Sequence, residues 1–140
     1  MRGLMFILMA TAVTACTTAP QPAPVRSVEA EQHLNKLLAG KTAGQPLNCL
    51  PAWRSNDMVV VDDNTVVFRD SSSRVYVNNF RGAGCSNLGS GWYALLTRRS
   101  GSSLCSGEIA EVIDTSSGMT VGSCSLGEFV PYTQAGYLFL

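Results

Sequence analysis

Short runs of β-branched and aromatic residues, separated by turn-forming residues, occupy the chain from residue 58 onward and restrict its fold more than any other feature. Residues 58–62 and 65–69 are two such runs. Asp63 and Asn64 separate them and predict a hairpin loop of two residues, because Asn tolerates positive φ. Further strands are predicted at residues 74–78, 92–98, 108–114, 119–124 and 136–140. Many short strands with turns between them predict a mainly β domain, either a small antiparallel barrel or a sandwich.

One short amphipathic helix is predicted ahead of these strands, at residues 27–40. Ser27 can cap its N-terminus, and Gly40 suits the position after its C-terminus. A narrow apolar stripe at helical spacing is formed by Ala30, Leu34, Leu37 and Leu38, continued by Lys41. His33 is the only histidine of the chain. Because it lies beside this stripe, we expect a partly exposed surface side chain and no catalytic or metal-binding role.

Four of the five cysteines follow the helix: Cys49, Cys85, Cys105 and Cys124. Four cysteines allow three pairings, and sequence alone does not choose between them. We favour Cys85 with Cys105, which would join two loops beside the strand at 92–98, and Cys49 with Cys124. A zinc site is disfavoured, because its ligands usually come in pairs about two to four residues apart. The sequence therefore predicts two disulfides, which are typical of an oxidising compartment.

Residues suited to catalysis are few. A hydrolase triad needs a histidine base, and His33 lies outside the β-rich region. Catalysis by a pair of carboxylates is the remaining possibility. It would require Glu108 and Glu128 to lie close together in the folded protein. The acidic residues at 62–64 lack the spacing and the closing glutamate of a calcium loop, so a turn is predicted there. We predict no catalytic residue, no metal site and no cofactor.

Charge does not indicate a nucleic-acid partner. Ten basic residues balance ten acidic ones, and the Arg98-Arg99 doublet is far from the basic stripe that nucleic acid requires. Six aromatic residues could line a ligand pocket: Trp53, Tyr76, Trp92, Tyr93, Phe129 and Tyr132. The alternative is that they pack in the core, and this would account for most of them. As a speculative ligand site we single out Trp92, Tyr93, Glu108 and Glu128.

The N-terminus resembles a bacterial lipoprotein signal peptide. Met1-Arg2 precedes an apolar stretch at residues 3–13, and small residues lead to Cys16. This stretch is shorter than the roughly 20 residues of a membrane span and suits a secretory signal. The resemblance implies removal of residues 1–15 and attachment of lipid to Cys16. Cleavage after Ala15 by an ordinary signal peptidase, leaving Cys16 without lipid, is the alternative; the even number of other cysteines favours lipidation.

A spacer is predicted at residues 16–26, ahead of a single β-rich domain at 27–140. Three prolines alternate with other residues at positions 20–24, and proline excludes the segment from a helix interior or a central strand. At about 3.1 Å per residue, the eight residues at 17–24 would reach roughly 25 Å from the bilayer. Thr17 stands where an Asp would act as a retention signal. By resemblance to Gram-negative lipoproteins, this implies the periplasmic face of the outer membrane.

Four strings in the domain resemble a domain-of-unknown-function family of short proteobacterial envelope lipoproteins. They are Val-Asp-Asp-Asn-Thr-Val-Val at 61–67, Arg-Val-Tyr-Val at 74–77, Leu-Cys-Ser-Gly-Glu-Ile at 104–109 and Gly-Ser-Cys-Ser-Leu-Gly-Glu-Phe at 122–129. The resemblance covers about residues 39–132, and Cys-x-Leu-Gly-Glu-Phe is its most specific element. Members often have Asp where this chain has Glu108. The family implies an envelope location and a small domain, and it offers no activity or catalytic residue to transfer.

These observations predict a membrane-tethered, non-enzymatic module that binds another envelope component or supports an assembly. The alternative is a carrier whose aromatic residues line the mouth of a β-barrel and hold a small apolar ligand. A weaker third hypothesis is an enzyme that uses Glu108 and Glu128. A large exposed apolar patch would favour the binding module, whereas a deep aromatic cavity would favour the carrier.

Overall fold

A computed structural model describes residues 25–99 and 101–136. The predicted signal peptide at 1–15, the lipid site at Cys16, the spacer residues 17–24 and residues 137–140 of the last predicted strand lie outside these ranges. Within them, no helix is both long enough and apolar enough to cross a membrane.

Helix α1 (Val28–Leu38) opens the domain at the predicted position. Ser27 Oγ accepts a hydrogen bond from the backbone N–H of Ala30 (3.2 Å). Beyond the other end, Lys41 Nζ donates to the carbonyl oxygen of Leu37 (3.2 Å). These two contacts supply partners to backbone groups that a helix leaves unpaired at its ends.

Ten strands follow in the described part of the chain: β1 (Lys41–Ala43), β2 (Cys49–Pro51), β3 (Met58–Val60), β4 (Thr65–Arg69), β5 (Arg74–Asn79), β6 (Tyr93–Thr97), β7 (Ser103–Cys105), β8 (Ile109–Asp114), β9 (Thr120–Ser125) and β10 (Phe129–Gln134). The predicted strands at 58–62, 65–69, 74–78, 92–98, 108–114 and 119–124 coincide with β3, β4, β5, β6, β8 and β9. Strands β1, β2, β7 and β10 are not predicted by the sequence pattern.

The largest sheet has five antiparallel strands in the order β1-β10-β5-β4-β3. It is buried on both faces at its centre. Val67, Val75 and Val77 pack with the apolar stripe of α1, in which Ala30 and Leu34 are buried. The residues between them, including Val66, Phe68 and Tyr76, point to the other face and enter the main core. The helix therefore covers one face, as its narrow stripe predicts.

Strand β10 lies between β1 and β5 although it contains Pro131. The carbonyl oxygen of Pro131 accepts from the N–H of Gly44 (2.7 Å), immediately past the end of β1. The nitrogen and carbonyl of a strand residue point to the same side, so the missing N–H of Pro131 also faces Gly44 and not β5. The proline therefore removes no bond from the β5–β10 ladder.

Two smaller sheets cover the inner face of the five-stranded sheet. One has the order β6-β8-β9 and the other pairs β2 with β7. Their buried side chains join those of the large sheet in one core: Leu50, Leu95, Leu104, Ala110 and Val112 come from the small sheets, and Phe68 and Phe129 from the large one. The rings of Phe68 and Phe129 lie 5.7 Å apart. The architecture is sandwich-like, with open sheets; the mainly β prediction is confirmed.

The predicted two-residue hairpin loop is wrong. The backbone N–H of Val61 donates to the carbonyl oxygen of Thr65 (3.0 Å), so three residues, 62–64, form the loop between β3 and β4. Asn64 is not among the residues with positive φ. Its N–H instead donates to Asp62 Oδ1 (2.8 Å). This side-chain contact stabilises the turn without a left-handed residue.

Two disulfides are present, as predicted, but the favoured pairing is wrong. The bonds join Cys49 to Cys105 and Cys85 to Cys124. Cys49 lies directly opposite Cys105 in the β2–β7 register, and these two strands were not predicted. Cys85 is fixed beside the large sheet, because its N–H donates to the carbonyl oxygen of Asp63 (2.6 Å). Strand pairing, which spacing along the chain does not reveal, therefore decides the connectivity.

We expect a mild reductant to open the Cys49–Cys105 disulfide before the Cys85–Cys124 disulfide. Cys49 and Cys105 are half-buried, whereas Cys85 and Cys124 are buried in the main core, and thiol–disulfide exchange needs access to a sulfur atom. Alkylation at timed intervals, followed by peptide mass spectrometry, measures the order. In denaturant, used as the control, the two bonds should open at similar rates. Earlier opening of Cys85–Cys124 in the folded protein would contradict this prediction.

Candidate interaction surface

The solvent-facing side of the β6-β8-β9 sheet carries several apolar side chains. On β6, Ala94 and Leu96 are exposed while Leu95 between them is buried. On β8, Ile109 is 56% exposed, and Ile113 is half-buried opposite Ala94. Because side chains alternate between the faces of a strand, these residues share the face that points away from the core. We call Ala94, Leu96, Ile109 and Ile113 the outer face.

A charged pair lies among the residues of the outer face. Arg98 Nη2 lies 2.9 Å from Glu111 Oε2, and Glu111 is opposite Leu96 in the register of β6 and β8. Glu111 lies between Ile109 and Ile113 on β8, so apolar side chains flank a paired charge on this face. Protein–protein interfaces combine apolar side chains with polar ones, and the outer face has that mixed composition.

Trp92 and Tyr93, two residues of the speculative ligand site, do not share a pocket. Trp92 is 75% exposed, and its carbonyl oxygen accepts from Thr115 Oγ1 (2.8 Å). Tyr93 begins β6, is half-buried, and lines a cavity of about 250 Å³ with Val112 and Val121. Trp92 lies in the bend before β6, whereas Tyr93 is the first residue of the strand.

Glu108 and Glu128, the other two residues of that site, make separate hydrogen bonds. Glu108 Oε2 accepts from the N–H of Cys105 (2.8 Å) and closes the turn between β7 and β8. Glu128 is exposed, and its carbonyl oxygen accepts from the buried side chain of Asn78 (3.3 Å). The cavity beside Tyr93 is lined by neither Glu108 nor Glu128, and Trp92 does not line it either.

The remaining aromatic residues of the hypothetical pocket lie in separate places. Tyr76 and Phe129 are in the main core, and Tyr132 packs beside α1. Trp53 is exposed and precedes Arg54, whose guanidinium carbon is 4.4 Å from the centre of the indole ring. Core packing, the alternative given above, is confirmed for Tyr76 and Phe129.

The loop at 62–64 binds neighbouring backbone with its carboxylates. Asp63 Oδ1 accepts from the N–H of Gly89 (2.7 Å) and Asp63 Oδ2 from the N–H of Asn87 (3.1 Å). A Cβ on Gly84 would collide with the carbonyl oxygen of Asp63. Among the described residues, no group of three or more acidic, histidine or cysteine side chains is placed to hold a metal ion. The turn prediction for this loop is confirmed.

Arg26 attaches the N-terminal end of the described chain to the same loop. Its Nε lies 2.7 Å from Asp62 Oδ2 and its Nη2 donates to Thr65 Oγ1. The Asp62 and Glu31 carboxylates raise the pKa of the Arg26 guanidinium, although burial alone would lower it. Sequence analysis did not single out Arg26. A lone arginine between the prolines and the helix start was its only signal.

Asp114 orders the turn from β8 to β9. The hydroxyl and N–H of Ser116, with the N–H of Ser117, donate to Asp114 Oδ1 and lower the pKa of this carboxyl. A lowered pKa means that these contacts favour the folded state above the unfolded-state pKa and are lost as the pH falls through the folded-state pKa. At neutral pH the turn is therefore held in one conformation next to Met119, whose carbonyl oxygen accepts from the N–H of Asp114 (2.9 Å).

Comparison with known proteins gives no match: no protein-family model, no curated protein and no solved structure is similar to the chain.

Proposed function

We propose that this protein is a lipid-anchored protein of the bacterial envelope whose β domain binds another envelope protein. The outer face of the β6-β8-β9 sheet is the binding surface. Lipid on Cys16 and the spacer hold the domain at the periplasmic face of the outer membrane. The short spacer keeps the domain near the membrane and so raises its effective concentration for partners there. A binding protein that is not an enzyme would gain from such an anchor.

One observation carries the proposal: Leu96 and Ile109 are 44% and 56% exposed on a sheet face whose other side is the main core. Exposed apolar side chains grouped on one face favour contact with a partner. The Arg98–Glu111 pair among them adds charges that can fix the register of a partner.

The positions of the other candidate residues favour this function over the two alternatives. Glu108 accepts a backbone hydrogen bond at a turn, which is a structural use of a carboxylate. The carrier hypothesis needs aromatic side chains that converge, whereas Trp92 is exposed and Tyr93 lines a small cavity elsewhere. No observation of this chain favours either alternative.

We expect a photo-cross-linking residue at Leu96 to give a discrete adduct with one envelope protein in intact cells. The same residue at Gln32 is the control, because Gln32 is exposed on α1 and α1 covers the opposite face of the molecule. Leu96→Glu in a chain cross-linked from Ile109 should abolish the adduct, since a carboxylate would have to be buried without a partner. Equal labelling from Leu96 and Gln32, or a smear from both, would contradict the proposal.

A further inference from the structure

The N-terminal end of the described chain, the 62–64 loop and the segment before β6 meet at one end of the domain. Val25 and Gly89 line the same cavity, and Asp63 accepts the N–H of Gly89 (2.7 Å). Trp92 follows Gly89 by three residues, so their Cα atoms are at most about 11 Å apart. We call this region, from Arg26 to Trp92 across the 62–64 loop, the tether end.

Large apolar side chains are exposed at the tether end. Trp92 is 75% exposed, Met119 is 66% exposed and Val25 is 99% exposed. Met119 belongs to this group through the β8–β9 turn: Asp114 is opposite Tyr93 in the register, and its N–H donates to the carbonyl oxygen of Met119. The N–H and the hydroxyl of Thr115 both donate to the carbonyl oxygen of Trp92 and attach the turn to the start of β6.

The chain that precedes the tether end is short. Eight residues, 17–24, separate Cys16 from Val25. An extended, proline-rich segment of that length reaches roughly 25 Å. Arg26 is held by Asp62, so the leash joins the domain at this end and at no other described surface. If Cys16 carries lipid, the tether end is the part of the domain nearest to the bilayer.

We infer that the tether end is a second membrane contact, in which Trp92 and Met119 enter the interfacial layer of the bilayer and orient the domain. This inference rests on the proposed lipid anchor. Trp suits the membrane interface because its ring is apolar and its N–H remains hydrated. The contact turns the outer face of the β6-β8-β9 sheet to a fixed angle with the membrane, whereas a leash alone leaves the domain free to rotate.

The charge at the tether end determines which lipid surface suits it. Glu29, Glu31, Asp62 and Asp63 lie near one cation, Arg26, which Asp62 and Glu31 already pair. A further carboxylate, Asp114, lies in the β8–β9 turn. Anionic lipids repel an acidic surface, and zwitterionic lipids carry no net charge to attract or repel it. The contact is therefore apolar, and a zwitterionic bilayer is its preferred surface.

Trp53 provides a matched control within the same chain. It is 63% exposed, and its neighbour Arg54 lies beside Asp70, which directly follows β4. The 62–64 loop directly precedes β4. The chain therefore has two exposed tryptophans, Trp92 at the tether end and Trp53 at the opposite end of β4.

The test measures fluorescence quenching by phosphatidylcholine brominated in its acyl chains. The full-length protein is isolated from its own membrane and placed in vesicles of this lipid as two variants, Trp53→Phe and Trp92→Phe. We expect quenching and a blue shift in Trp53→Phe, where Trp92 remains, and neither in Trp92→Phe, where Trp53 remains. Equal quenching in both variants, or none in either, would overturn the inference.

The mass of the isolated protein shows whether Cys16 carries lipid, so failure of the lipid anchor can be distinguished from failure of the membrane contact. If the protein carries no lipid, the proposed anchor is wrong, and the same vesicles are then added to the unlipidated protein. Quenching of Trp92 alone would still support the membrane contact, whereas its absence would overturn it. A discrete protein adduct formed by a photo-cross-linker at position 92, with no quenching, would assign the tether end to a protein partner and also overturn it.

Two further variants test the apolar nature of the contact. In the unlipidated form, Trp92→Ser should weaken partitioning to phosphatidylcholine vesicles about tenfold, the size expected for losing most of one buried apolar side chain. Trp53→Ser should leave partitioning unchanged. Vesicles containing anionic phosphatidylglycerol should bind the unsubstituted protein more weakly. Stronger binding to anionic vesicles would identify an electrostatic contact and contradict the inference.

Discussion

Replacing Cys85 and Cys124 together by alanine is expected to lower the free energy of unfolding by about 4 kcal/mol. The bond joins residues 39 positions apart, and opening such a loop restores much conformational freedom to the unfolded chain. Both cysteines also belong to the main core, so the variant loses packing as well. Since domains of this size are stable by only about 5–15 kcal/mol, the loss is a large fraction of the total. Urea unfolding followed by tryptophan fluorescence measures it.

The second disulfide is the matched control for this measurement. Cys49 and Cys105 are 56 positions apart and close a longer loop, which by chain entropy alone predicts a slightly larger effect. They are half-buried, and neither belongs to the core cluster. We therefore expect the Cys49→Ala/Cys105→Ala variant to be no more destabilised than the core variant. A loss below about 1 kcal/mol in the core variant would contradict the role assigned to the Cys85–Cys124 bond.

Replacing Asn78 by alanine is expected to lower the free energy of unfolding by about 3 kcal/mol. Asn78 is fully buried. Its Nδ2 donates to the carbonyl oxygen of Gly127 (2.8 Å), and its Oδ1 accepts from the N–H of Gly127 (3.0 Å). Alanine would leave both backbone groups buried without a partner. Gly127 cannot move away easily, because even a Cβ added there would collide with the carbonyl oxygen of Asn79. Urea unfolding at pH 7 measures the loss.

Two variants control this experiment. Asn35→Ala removes an exposed asparagine from α1 and should change stability by less than about 0.5 kcal/mol. Asn78→Asp keeps the shape and the acceptor but loses the donor, and it places a carboxylate against carbonyl oxygens. We expect it to be at least as destabilising as alanine at pH 7. If aspartate restored full stability, the side-chain amide of Asn78 would not be the group that connects β5 to the segment before β10.

Elements with a strong periodic signal could be predicted from the sequence. Helix α1 follows from Ser27, the stripe at Ala30 and Leu34, and the glycine at position 40. Strand β4 follows from its run of β-branched residues, which is buried on both faces. In both segments, the secondary structure that the residues favour locally is also the one that buries their apolar side chains.

Elements whose geometry depends on a distant partner could not be predicted. Strands β2 and β7 have three residues each, too few for a period to emerge, and the disulfide pairing depends on them. Strand β10 was missed because a proline argues against a strand inside a sheet. Pro131 has no N–H to donate toward the β1 side, and β1 ends before Gly44, the residue that faces Pro131. The missing donor therefore interrupts no ladder between named strands.

The candidate surfaces were only partly visible in the sequence. Trp92 was singled out, but for a pocket shared with Tyr93. The alternation of side chains along a strand already argues against that pairing. The outer face depends on which side of β6 and β8 is covered, and no local pattern contains that information. The contact of Arg26 with Asp62 joins residues 36 positions apart and was not predictable either.

The two disulfides interleave along the chain, because the first of the four cysteines after the helix pairs with the third and the second with the fourth. A chain that crosses a membrane from its N-terminus presents Cys49 and Cys85 to an oxidase before Cys105 and Cys124. Oxidation in order of appearance would join the first two, which is not a native bond. Correct folding then requires either that β2 and β7 pair before oxidation or that a thiol exchanges the early bond, a step that takes seconds to hours. If the protein is exported, its maturation should therefore depend on early pairing of β2 with β7 or on disulfide isomerisation, and not on oxidation alone.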